Sequence, residues 1–558
     1  MKITSFDIFD TCLTRTCGTP ENFFDVLAYM VFDGDVEESV RSQFIIARRR
    51  GELSVGKANP FYDLYSIYNN LDFKHEKLKD PTLLPEIEMQ LEKELLRPVL
   101  KTKELIKKER RKGRRIIFVS DMYLHSDFLI PILKQFEMFE DGDGMYISSE
   151  KGFVKYGGGL YRLIQKELNI PFKNWKHYGD NDGSDFVAAK DLGIKARRLV
   201  WQYQPYPLKW KENDTSLNYK YASVAAGISR ALFFSEPDNS HKNFVLDLIA
   251  PFSCSYTYKV MSDALNRGIK RLFFCARDAY QFYHIAKHFE ALFPEIEIKY
   301  LNLSRDALYN CDDKTILGYL KQEGVACDNN RCALVDSTTS GKTIMHINNI
   351  LTNNGMAPIF GYYYLYWDDD ERNIPINPDY FHFDIRKSYC YLNSKISDFF
   401  ILRNNCIFEN FFSLNCELHT KSIKEEDNKY TPVFDNKNVE DSRIDNQEEW
   451  SNIHRQLIEK YAVELVKTKL YLYSEQLFNL SISTIYNFLH FPEKKYLPAL
   501  LTFKVFYSEK PVVKKSNIFK LLYNRGKDTE WPRATLIYNL PNPFSLIIKK
   551  RYRNKNIM

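Results

Sequence analysis

The sequence predicts an α/β protein built on parallel sheets. Three observations predict this class: short apolar runs alternate with helix-like stretches, acidic or hydroxyl residues follow most of these runs, and 44% of the 558 residues are hydrophobic. Strands that alternate with helices imply a parallel sheet with the helices packed on its faces. The length provides material for roughly three to four domains, and the composition excludes a disordered chain.

The charge balance and the lack of long apolar runs exclude several classes of protein. Lys and Arg total 78 and Asp and Glu total 72, a net charge of +6, so we expect no nucleic-acid partner. No run reaches the roughly 18 apolar residues of a membrane-spanning helix, and Asp7 interrupts the first apolar run where a secretory signal is apolar. The ten cysteines form no CxxC pair, which indicates reduced thiols. We therefore expect a cytoplasmic protein.

The first segment of the chain, residues 1–205, shows the strand and helix alternation clearly. Strand-like runs lie at residues 2–6, 115–119, 144–147 and 175–178. Helix-like sequence fills residues 21–108 and also follows the second and third runs. The segment ends at a connector, residues 202–218, in which proline and polar residues break the periodicity.

A second α/β segment is expected at residues 219–400. Its strand-like runs lie at residues 271–275, 298–303, 331–335 and 359–367, with helix-like stretches between them. From residue 401 to residue 558 the alternation fades into a mostly helical region with a polar insertion at residues 420–450. No internal repeat of fixed period is present.

Acidic and hydroxyl residues follow three strand-like runs of the first segment. Asp7 ends the first run, Ser120 ends the second, and Asp180 and Asp185 follow the fourth. Parallel sheets bind ligands at the carboxyl ends of their strands, so these groups converge on one edge, within reach of Lys155. A buried group of carboxylates needs a cation to offset its repulsion, which suggests Mg²⁺ with a lysine beside it.

Four ordered stretches carry a family resemblance. They are FDIFDTCLTR at the first strand, IIFVSDMY at the second, Lys155 before a helix, and HYGDNDGSD at the fourth strand. Together they resemble the motifs of the haloacid dehalogenase (HAD) superfamily over about residues 1–200. The resemblance implies a Rossmann-like core with a helical cap at about residues 15–105.

The resemblance also implies a role for each matching residue. Asp7 would be the nucleophile that forms an aspartyl-phosphate, and Lys155 would neutralise charge on the nucleophile and the transferring group. Thr11 and Ser120 would hold the phosphoryl oxygens. Mg²⁺ would be bound by three carboxylates, those of Asp7, Asp180 and Asp185.

Phe9 departs from the phosphatase pattern. The family's phosphatases have an aspartate two residues beyond the nucleophile, and it protonates the leaving group. General acid–base help is worth about 10² to 10⁴ in rate, so Phe9 predicts a slow phosphatase or a different leaving group. The dehalogenase branch also has an aromatic residue there, which keeps carbon–halogen hydrolysis open. Asp10 is an alternative acid; in a shifted register it would be the nucleophile, with Thr14 as the threonine and Cys12 at the acid position.

Two strand ends of the second segment carry similar tetrapeptides. Arg277 and Asp278 follow RLFFC, and residues 304–307 repeat the Arg-Asp pair after IKYLNL. The planar fork of arginine suits phosphate or carboxylate. The alternative is an Arg-Asp pair that caps the following helix.

The third strand end of this segment, ALVDSTTSGKT, presents backbone N–H groups and a helix N-terminus to an anion. It is not a Walker loop, since Asp336 stands where that loop needs glycine. It resembles the phosphoribosyltransferase signature and departs from it at Ser337. The matching positions are Asp336, Thr339, Gly341 and Thr343.

Further stretches follow the HAD motifs in the order LDLIAPF, FFCARDAY, LNLSRDAL, LVDSTTSGKT and a late Trp531. In this order, most of the chain resembles two-part HAD-type proteins of bacterial surface-polysaccharide gene clusters. We therefore predict a Mg²⁺-dependent phosphohydrolase acting on a sugar phosphate or a nucleotide sugar through Asp7. One alternative is a glycosyl- or phosphoribosyl-type transferase whose chemistry lies in the second domain. Another is a weakly active HAD domain that serves as a binding or regulatory module. The last ten residues hold five basic residues and no acidic one, which suggests either contact with an anionic membrane surface or a solvated tail.

Overall fold

The computed structural model describes most of both predicted α/β segments. The described residues are 2–59, 61–199, 217–276, 278–325, 331–336, 338–339, 342–366, 419–435, 447–490, 492–501, 511, 513–517, 529 and 531–541. The chain divides into two compact units, Met1–Asp238 with Lys467–Leu470 and Asn239–Val466 with Tyr471–Met558. Each unit contains a parallel sheet with helices beside it, so the predicted α/β class is confirmed.

A five-stranded parallel sheet lies at the centre of the first unit. The strands of this unit are β1 (Ile3–Phe6), β2 (Leu13–Arg15), β3 (Leu96–Pro98), β4 (Arg115–Ser120), β5 (Gly144–Ile147), β6 (Trp175–Gly179) and β7 (Lys195–Arg198). The sheet order is β5–β4–β1–β6–β7, with every neighbouring pair parallel. All four predicted strand runs are therefore confirmed, and β1 occupies the middle of the sheet.

Side chains along these strands point alternately to the two faces of the sheet, and each face has its own hydrophobic core. Phe6 and Phe118 pack into one core, whereas their neighbours Ile117 and Val119 pack into the other, together with Trp175. Successive side chains of a strand point to opposite faces, and a parallel sheet needs both faces covered. The buried apolar strands therefore leave only their ends for polar side chains that meet a ligand.

Helices cover the sheet and also form an insertion. The helices of this unit are α1 (Pro20–Val31), α2 (Glu38–Ala58), α3 (Leu64–Asn69), α4 (Leu84–Leu95), α5 (Leu100–Arg111), α6 (Ser126–Gln135), α7 (Ser148–Lys151), α8 (Gly159–Leu168), α9 (Ala188–Asp191) and α10 (Leu217–Ser235). Helices α1 to α4 lie between β2 and β3, which pair antiparallel, so the chain enters and leaves the insertion at one place. That this insertion is a cap, at about residues 15–105, stays a prediction.

A buried ion pair joins two helices of this insertion to the loop that follows β4. The guanidinium of Arg48, on α2, donates to both carboxylate oxygens of Glu88, on α4, at 2.9 and 2.7 Å. Glu88 also accepts a hydrogen bond of 2.9 Å from the hydroxyl of Tyr123. Removing one partner of such a pair would leave an uncompensated buried charge, so the pair fixes these three segments in one arrangement.

Helix α10 packs within the first unit, beyond the predicted connector at residues 202–218, most of which lies outside the described residues. The Asn22 side chain donates to Ser223 Oγ at 3.0 Å. A Cβ added at Gly227 would lie 2.3 Å from the backbone nitrogen of Gly18, so glycine is required for this close approach. The exact boundary between the predicted domains, at residue 205, stays a prediction.

The second unit contains a four-stranded parallel sheet. Its strands are β8 (Arg271–Cys275), β9 (Glu297–Leu301), β10 (Cys332–Val335), β11 (Thr338–Thr339), β12 (Phe360–Tyr362) and β13 (Leu365–Tyr366). The sheet order is β12–β10–β8–β9. The predicted run at 359–367 divides into two strands, because β13 leaves the sheet and pairs with β11.

The accompanying helices are α11 (Lys242–Phe244), α12 (Ala250–Asn266), α13 (Tyr280–Phe289), α14 (Arg305–Asn310), α15 (Asp313–Glu323) and α16 (Lys342–Asn353).

The later part of the second unit combines a β-hairpin with helices. The hairpin is β14 (Thr420–Glu426) and β15 (Lys429–Phe434), and it occupies part of the predicted polar insertion at 420–450. The helices are α17 (Gln447–Lys467), α18 (Ser474–His490) and α19 (Pro532–Asn539). None of the helices in the described part of the chain is both long and apolar enough to cross a membrane. The basic C-terminal residues lie outside the described residues.

A buried histidine pair in the second unit predicts a pH-dependent stability. His241 Nδ1 lies 3.1 Å from His454 Nε2. Burial lowers the pKa of His241 to about 3 and also lowers the pKa of His454, so both rings are neutral in the folded protein. Below the ordinary histidine pKa of about 6.5, the unfolded chain binds protons that the folded chain does not.

We therefore expect the free energy of unfolding to fall as the pH decreases from about 6.5, by about 1.4 kcal/mol per pH unit for each histidine. Urea unfolding at pH 7, 6 and 5 measures this dependence. Replacing His454 by Gln should flatten it. The difference between the two proteins isolates the pair, because other buried groups such as Asp7 titrate over the same range. A difference that stays the same between pH 7 and pH 5 would show that the folded pair accepts protons.

Candidate active site

Three sequence-predicted carboxylates meet at the carboxyl edge of the five-stranded sheet. Asp7 follows β1, Asp180 follows β6, and Asp185 lies in the turn of helix that comes next. One carboxylate oxygen from each of the three lies within 4.8 Å of the other two. The neighbouring positions of β1 and β6 in the sheet bring Asp7 to the other two residues, although it lies more than 170 positions from them in the sequence.

Lys155 connects two members of this group. Its Nζ donates to Asp7 Oδ1 at 2.5 Å and to Asp185 Oδ1 at 2.6 Å, and all three side chains are buried. The backbone N–H of Lys155 donates to both oxygens of Asp121, at 2.8 and 3.1 Å. Because Asp121 directly follows β4, this contact fixes the start of the lysine's loop at the same sheet edge.

The three carboxylates fit a hard divalent cation. When all three are ionised, they carry three negative charges against the single positive charge of Lys155. Oxygen ligands are those that Mg²⁺ prefers. Burial, aided by the charge of Asp185, raises the pKa of Asp7 to about 7 despite Lys155. Burial likewise raises the pKa of Asp180. A divalent cation would favour the ionised form of both carboxylates, against the burial and the neighbouring negative charges that raise the two pKa values.

Asp185 differs from the other two carboxylates because polar groups hold it ionised. Burial alone would raise its pKa, but a hydrogen bond from His177 and the charge of Lys155 outweigh burial and lower it to about 2. The backbone N–H of Asn181 also donates to Asp185 Oδ2, at 3.1 Å. The site therefore contains one carboxylate held ionised and one, Asp7, whose charge depends on its surroundings.

A buried relay behind Asp185 was not predicted from the sequence. Trp175 Nε1 donates to Ser5 Oγ at 2.7 Å, and Ser5 Oγ lies 2.6 Å from His177 Nδ1. Burial lowers the pKa of His177, so the ring is neutral. Because Asp185 is ionised and only accepts, Nε2 of the neutral ring donates to Asp185 Oδ1 across 3.1 Å, and Nδ1 accepts from Ser5 Oγ. Ser5 Oγ also lies 3.3 Å from the carbonyl oxygen of Lys176. Both Ser5 and His177 are buried polar residues inside strands, but no local pattern in the sequence pairs them.

Gly179 allows Asp185 to reach the site, which gives a testable prediction. A Cβ at position 179 would lie 2.3 Å from Asp185 Cγ. Gly179→Ala should displace the carboxylate and weaken both Mg²⁺ binding, measured by calorimetry, and turnover by about 10²-fold, since misplacement by about 1 Å costs that much. Gly183→Ala is the matched control, because its nearest neighbour would be Asn181 Oδ1 at 3.5 Å. Equal behaviour of the two variants would contradict the prediction.

The predicted phosphate-binding residues lie on the same edge. Thr11 Oγ1 donates to Asp180 Oδ1 at 3.3 Å, and the carbonyl of Thr11 accepts from Thr102 Oγ1 at 2.6 Å. Ser120 is the last residue of β4 and is buried. Both hydroxyl residues are therefore placed by elements of the core, as an oxyanion-binding role requires.

The geometry favours Asp7 over Asp10 as the nucleophile. Lys155 contacts Asp7, whereas Asp10 has a left-handed backbone, with φ of 55°, and accepts a 3.3 Å hydrogen bond from Thr14. Asp10 also pairs with Arg230, on α10, at 3.2 Å. These partners engage the Asp10 carboxylate and leave it poorly suited to act as a proton donor.

The structure describes four of the six residues predicted to bind a ligand in the second unit. Arg277 and Gly341 lie outside the described residues. Asp278 lies in a turn after β8, and three further residues are placed by backbone structure: Asp336 after β10, Thr339 in β11 and Thr343 in the first turn of α16. Their predicted role in ligand binding stays a prediction.

The other tetrapeptide of the second unit, residues 304–307, makes structural contacts. Ser304 Oγ accepts from the N–H of Ala307 at 3.0 Å and so caps α14, and it also donates to the carbonyl of Thr420. Asp306 pairs with His419 at 2.9 Å. These contacts attach the hairpin to α14. The N-cap of the helix is Ser304, and Asp306 lies in the first turn, where an acidic residue is favourable.

Comparison with known proteins found likenesses only among solved structures. No protein-family model matches the chain, and no curated protein matches it significantly. A HAD phosphatase from Thermococcus onnurineus is 17% identical, with a TM-score of 0.27, over 39% of this chain and 90% of that chain. Two dehalogenase structures, one with an intermediate complex, are 16% and 17% identical with TM-scores of 0.27, over 37% of this chain and 87% of theirs. TM-scores this low do not establish a common fold.

Proposed function

We propose that the first unit is a HAD-type, Mg²⁺-dependent phosphohydrolase that acts on a phosphorylated small molecule. The observation that carries the proposal is the buried Lys155, which bridges Asp7 and Asp185 beside Asp180 at the carboxyl edge of the sheet. The order of the four motifs that supply these residues supports the same superfamily. The substrate we propose is a sugar phosphate or nucleotide sugar of polysaccharide biosynthesis, as the whole-chain resemblance suggests.

In the proposed reaction a carboxylate oxygen of Asp7 attacks phosphorus and forms an aspartyl-phosphate, which water then hydrolyses. Lys155 orients the Asp7 carboxylate and offsets charge on the phosphoryl group, and Thr11 and Ser120 donate to phosphoryl oxygens. Asp7, Asp180 and Asp185 would hold Mg²⁺, which supplies further positive charge to the phosphoryl group when bound. His177 keeps Asp185 ionised and correctly oriented.

The cysteines support a reducing compartment, and we propose the cytoplasm. The six cysteines of the described residues are all free. Extracellular domains commonly use such residues in disulfides.

An assay of phosphate release tests the proposal. The purified protein is incubated with p-nitrophenyl phosphate and with a panel of sugar phosphates and nucleotide sugars, with Mg²⁺ or with a chelator. We expect release that requires Mg²⁺ and returns when Mg²⁺ is added back. Equal release in chelator, or no release from any substrate, would contradict the proposal.

Phe9 favours a second candidate, a binding or regulatory module with little turnover. A phenyl ring neither donates nor accepts a proton, so the site would retain affinity for phosphate and Mg²⁺ while turning over slowly. Calorimetric binding of phosphate in the absence of any phosphate release would support this candidate. The transferase alternative depends on residues of the second unit. Two of them, Arg277 and Gly341, lie outside the described part of the chain.

A further inference from the structure

The loop that follows Asp7, residues 8–14, contains a residue with an unusual backbone. The N–H of Asp10 donates to the carbonyl of Leu13 at 2.6 Å, and the N–H of Cys12 donates to the carbonyl of Ile8 at 2.8 Å, so the loop is a tight turn. Asp10 adopts a φ of 55°, in the left-handed region that favours glycine. A residue with a side chain persists in that region only when its surroundings hold it there.

Two side chains hold the Asp10 carboxylate. Arg230 Nη1 lies 3.2 Å from Asp10 Oδ1, and Thr14 Oγ1 donates to the same oxygen at 3.3 Å. The Arg230 and Asp10 side chains are 29% and 34% exposed, so water and salt screen their attraction only in part. Thr14 belongs to the loop itself, whereas Arg230 lies on α10. Arg230 therefore ties the strained residue to an element outside the loop.

Helix α10 is fixed to the first unit by contacts other than this ion pair. A Cβ at Gly227 would lie 2.3 Å from the backbone nitrogen of Gly18, so the two backbones touch. One turn earlier on the helix, Ser223 Oγ accepts from the Asn22 side chain at 3.0 Å. Arg230 follows Gly227 by three positions. The helix backbone therefore sets where Arg230 begins, and the ion pair is not needed to dock the helix.

The backbone of Asp10 sets the direction of the next residue, Thr11, whose hydroxyl is proposed to hold a phosphoryl oxygen. Thr11 Oγ1 donates to Asp180 Oδ1 at 3.3 Å, and the Thr11 carbonyl accepts from Thr102 Oγ1 at 2.6 Å. Rotation about the Asp10 backbone would move Thr11 away from both partners. Because misplacing a group by about 1 Å costs about 10²-fold in rate, the Asp10 conformation bears directly on the proposed reaction.

We propose that Arg230 is a positioning residue of the first unit. It holds Asp10 in the left-handed conformation and so keeps Thr11 directed at the transferring phosphoryl group. Arg230 acts through Asp10 and needs no contact with the substrate. The three carboxylates of the proposed metal site lie outside residues 8–14, so their arrangement does not depend on Arg230. The inference rests on the proposed phosphohydrolase function, and it adds an element, α10, that lies beyond the four sequence motifs.

Arg230→Gln tests this role, because it removes the positive charge and keeps a polar side chain. We expect kcat on p-nitrophenyl phosphate to fall by about tenfold or more, while the calorimetric Kd for Mg²⁺ changes by less than about threefold. Arg230→Lys should keep kcat within about threefold of the wild type, since the single contact needs only a positive charge. An unchanged kcat in Arg230→Gln, or an equal loss of Mg²⁺ affinity, would overturn the inference.

A second substitution, Asp10→Gly, separates action through Asp10 from a general effect on the fold. Glycine adopts the left-handed conformation without strain and has no carboxylate for Arg230 to hold. In the Asp10→Gly background we therefore expect Arg230→Gln to lower kcat by less than about threefold, against about tenfold or more in the wild type. A loss of the same size in both backgrounds would overturn the inference.

Arg49→Gln is the matched control for loss of a paired arginine. Arg49 lies on α2, pairs with Glu21 at 2.9 Å, and lies 5.8 Å from the ring centre of Phe24. Arg230 likewise pairs with a carboxylate and lies 5.6 Å from a phenyl ring, that of Phe234. We expect Arg49→Gln to retain the wild-type kcat. Equal losses in the two variants would overturn the specific role of Arg230.

The two proposals fail separately. If the wild type hydrolyses p-nitrophenyl phosphate through Asp7 and Arg230→Gln keeps the same kcat, only the positioning inference fails. If the wild type releases no phosphate from any substrate, the proposed phosphohydrolase function fails and the inference fails with it.

Discussion

Replacing Asp7 by Asn should reduce phosphate release by at least about 10⁴-fold, because loss of a nucleophile from an otherwise intact site has effects of that order. The amide does not attack phosphorus, and it offers the cation a neutral oxygen in place of a charged one. Steady-state release from p-nitrophenyl phosphate with Mg²⁺ measures the effect.

The folded structure should tolerate this change. Asn has nearly the shape of Asp, and burial already disfavours the charge at this position, as the raised pKa of Asp7 shows. We therefore expect a melting temperature equal to or above that of the wild type. Asp182→Asn is the control, since this neighbouring acid is 61% exposed and pairs only at the surface with Arg198. Full activity in Asp7→Asn, or equal loss in both variants, would contradict the nucleophile assignment.

Replacing Phe9 by Asp should increase turnover, which few substitutions near an active site do. The introduced carboxyl would stand where the resembled phosphatases place their proton donor, and general acid–base catalysis is worth about 10² to 10⁴. We expect kcat on AMP to rise by at least about 10²-fold, with a smaller gain on ADP, whose leaving group needs no proton. Parallel kinetics on the two nucleotides measure this.

Phe9→Asn separates proton transfer from shape. Its side chain matches that of Asp in size but has no acidic proton to give. We expect no comparable gain on AMP from this variant. A similar gain from Asn, or no gain from Asp, would show that Phe9 does not occupy the position of the acid.

Much of the first unit and its acidic edge could be predicted from local sequence. The strand-like runs before Asp7, Ser120 and Asp180 mark both the strands and their ends. Once those ends are aligned by parallel pairing, their polar residues necessarily converge. Lys155 was harder to place, because its loop is fixed by the contact with Asp121 that only the folded chain creates.

The parts that could not be predicted depend on contacts between distant residues. The hydrogen bond between Ser5 and His177 joins strands far apart in sequence, and no local pattern pairs those two positions. Arg230 reaches Asp10 only because α10 packs within the first unit. The hairpin within the polar insertion is stabilised by contacts such as Gln322 to Tyr430, whereas its own sequence reads as polar and irregular. Tertiary contacts therefore outweigh local propensity in these regions.

Phe9 also makes the proposed intermediate open to direct observation. The phenyl ring has no basic atom to accept a proton from the water that hydrolyses the aspartyl-phosphate, so this second step should be slow. A slow second step causes the phosphorylated enzyme to accumulate. The same substitution that limits turnover therefore favours detection of the covalent species.

Trapping that species tests the central claim most directly. The protein is incubated with Mg²⁺ and p-nitrophenyl phosphate, quenched in acid and reduced with borohydride, which converts an aspartyl-phosphate to homoserine. Peptide mass spectrometry then locates the modified residue. We expect homoserine at position 7 in the wild type and none in Asp7→Asn. Phosphate release without modification at position 7, or modification at another residue, would contradict the assignment of Asp7 as the nucleophile.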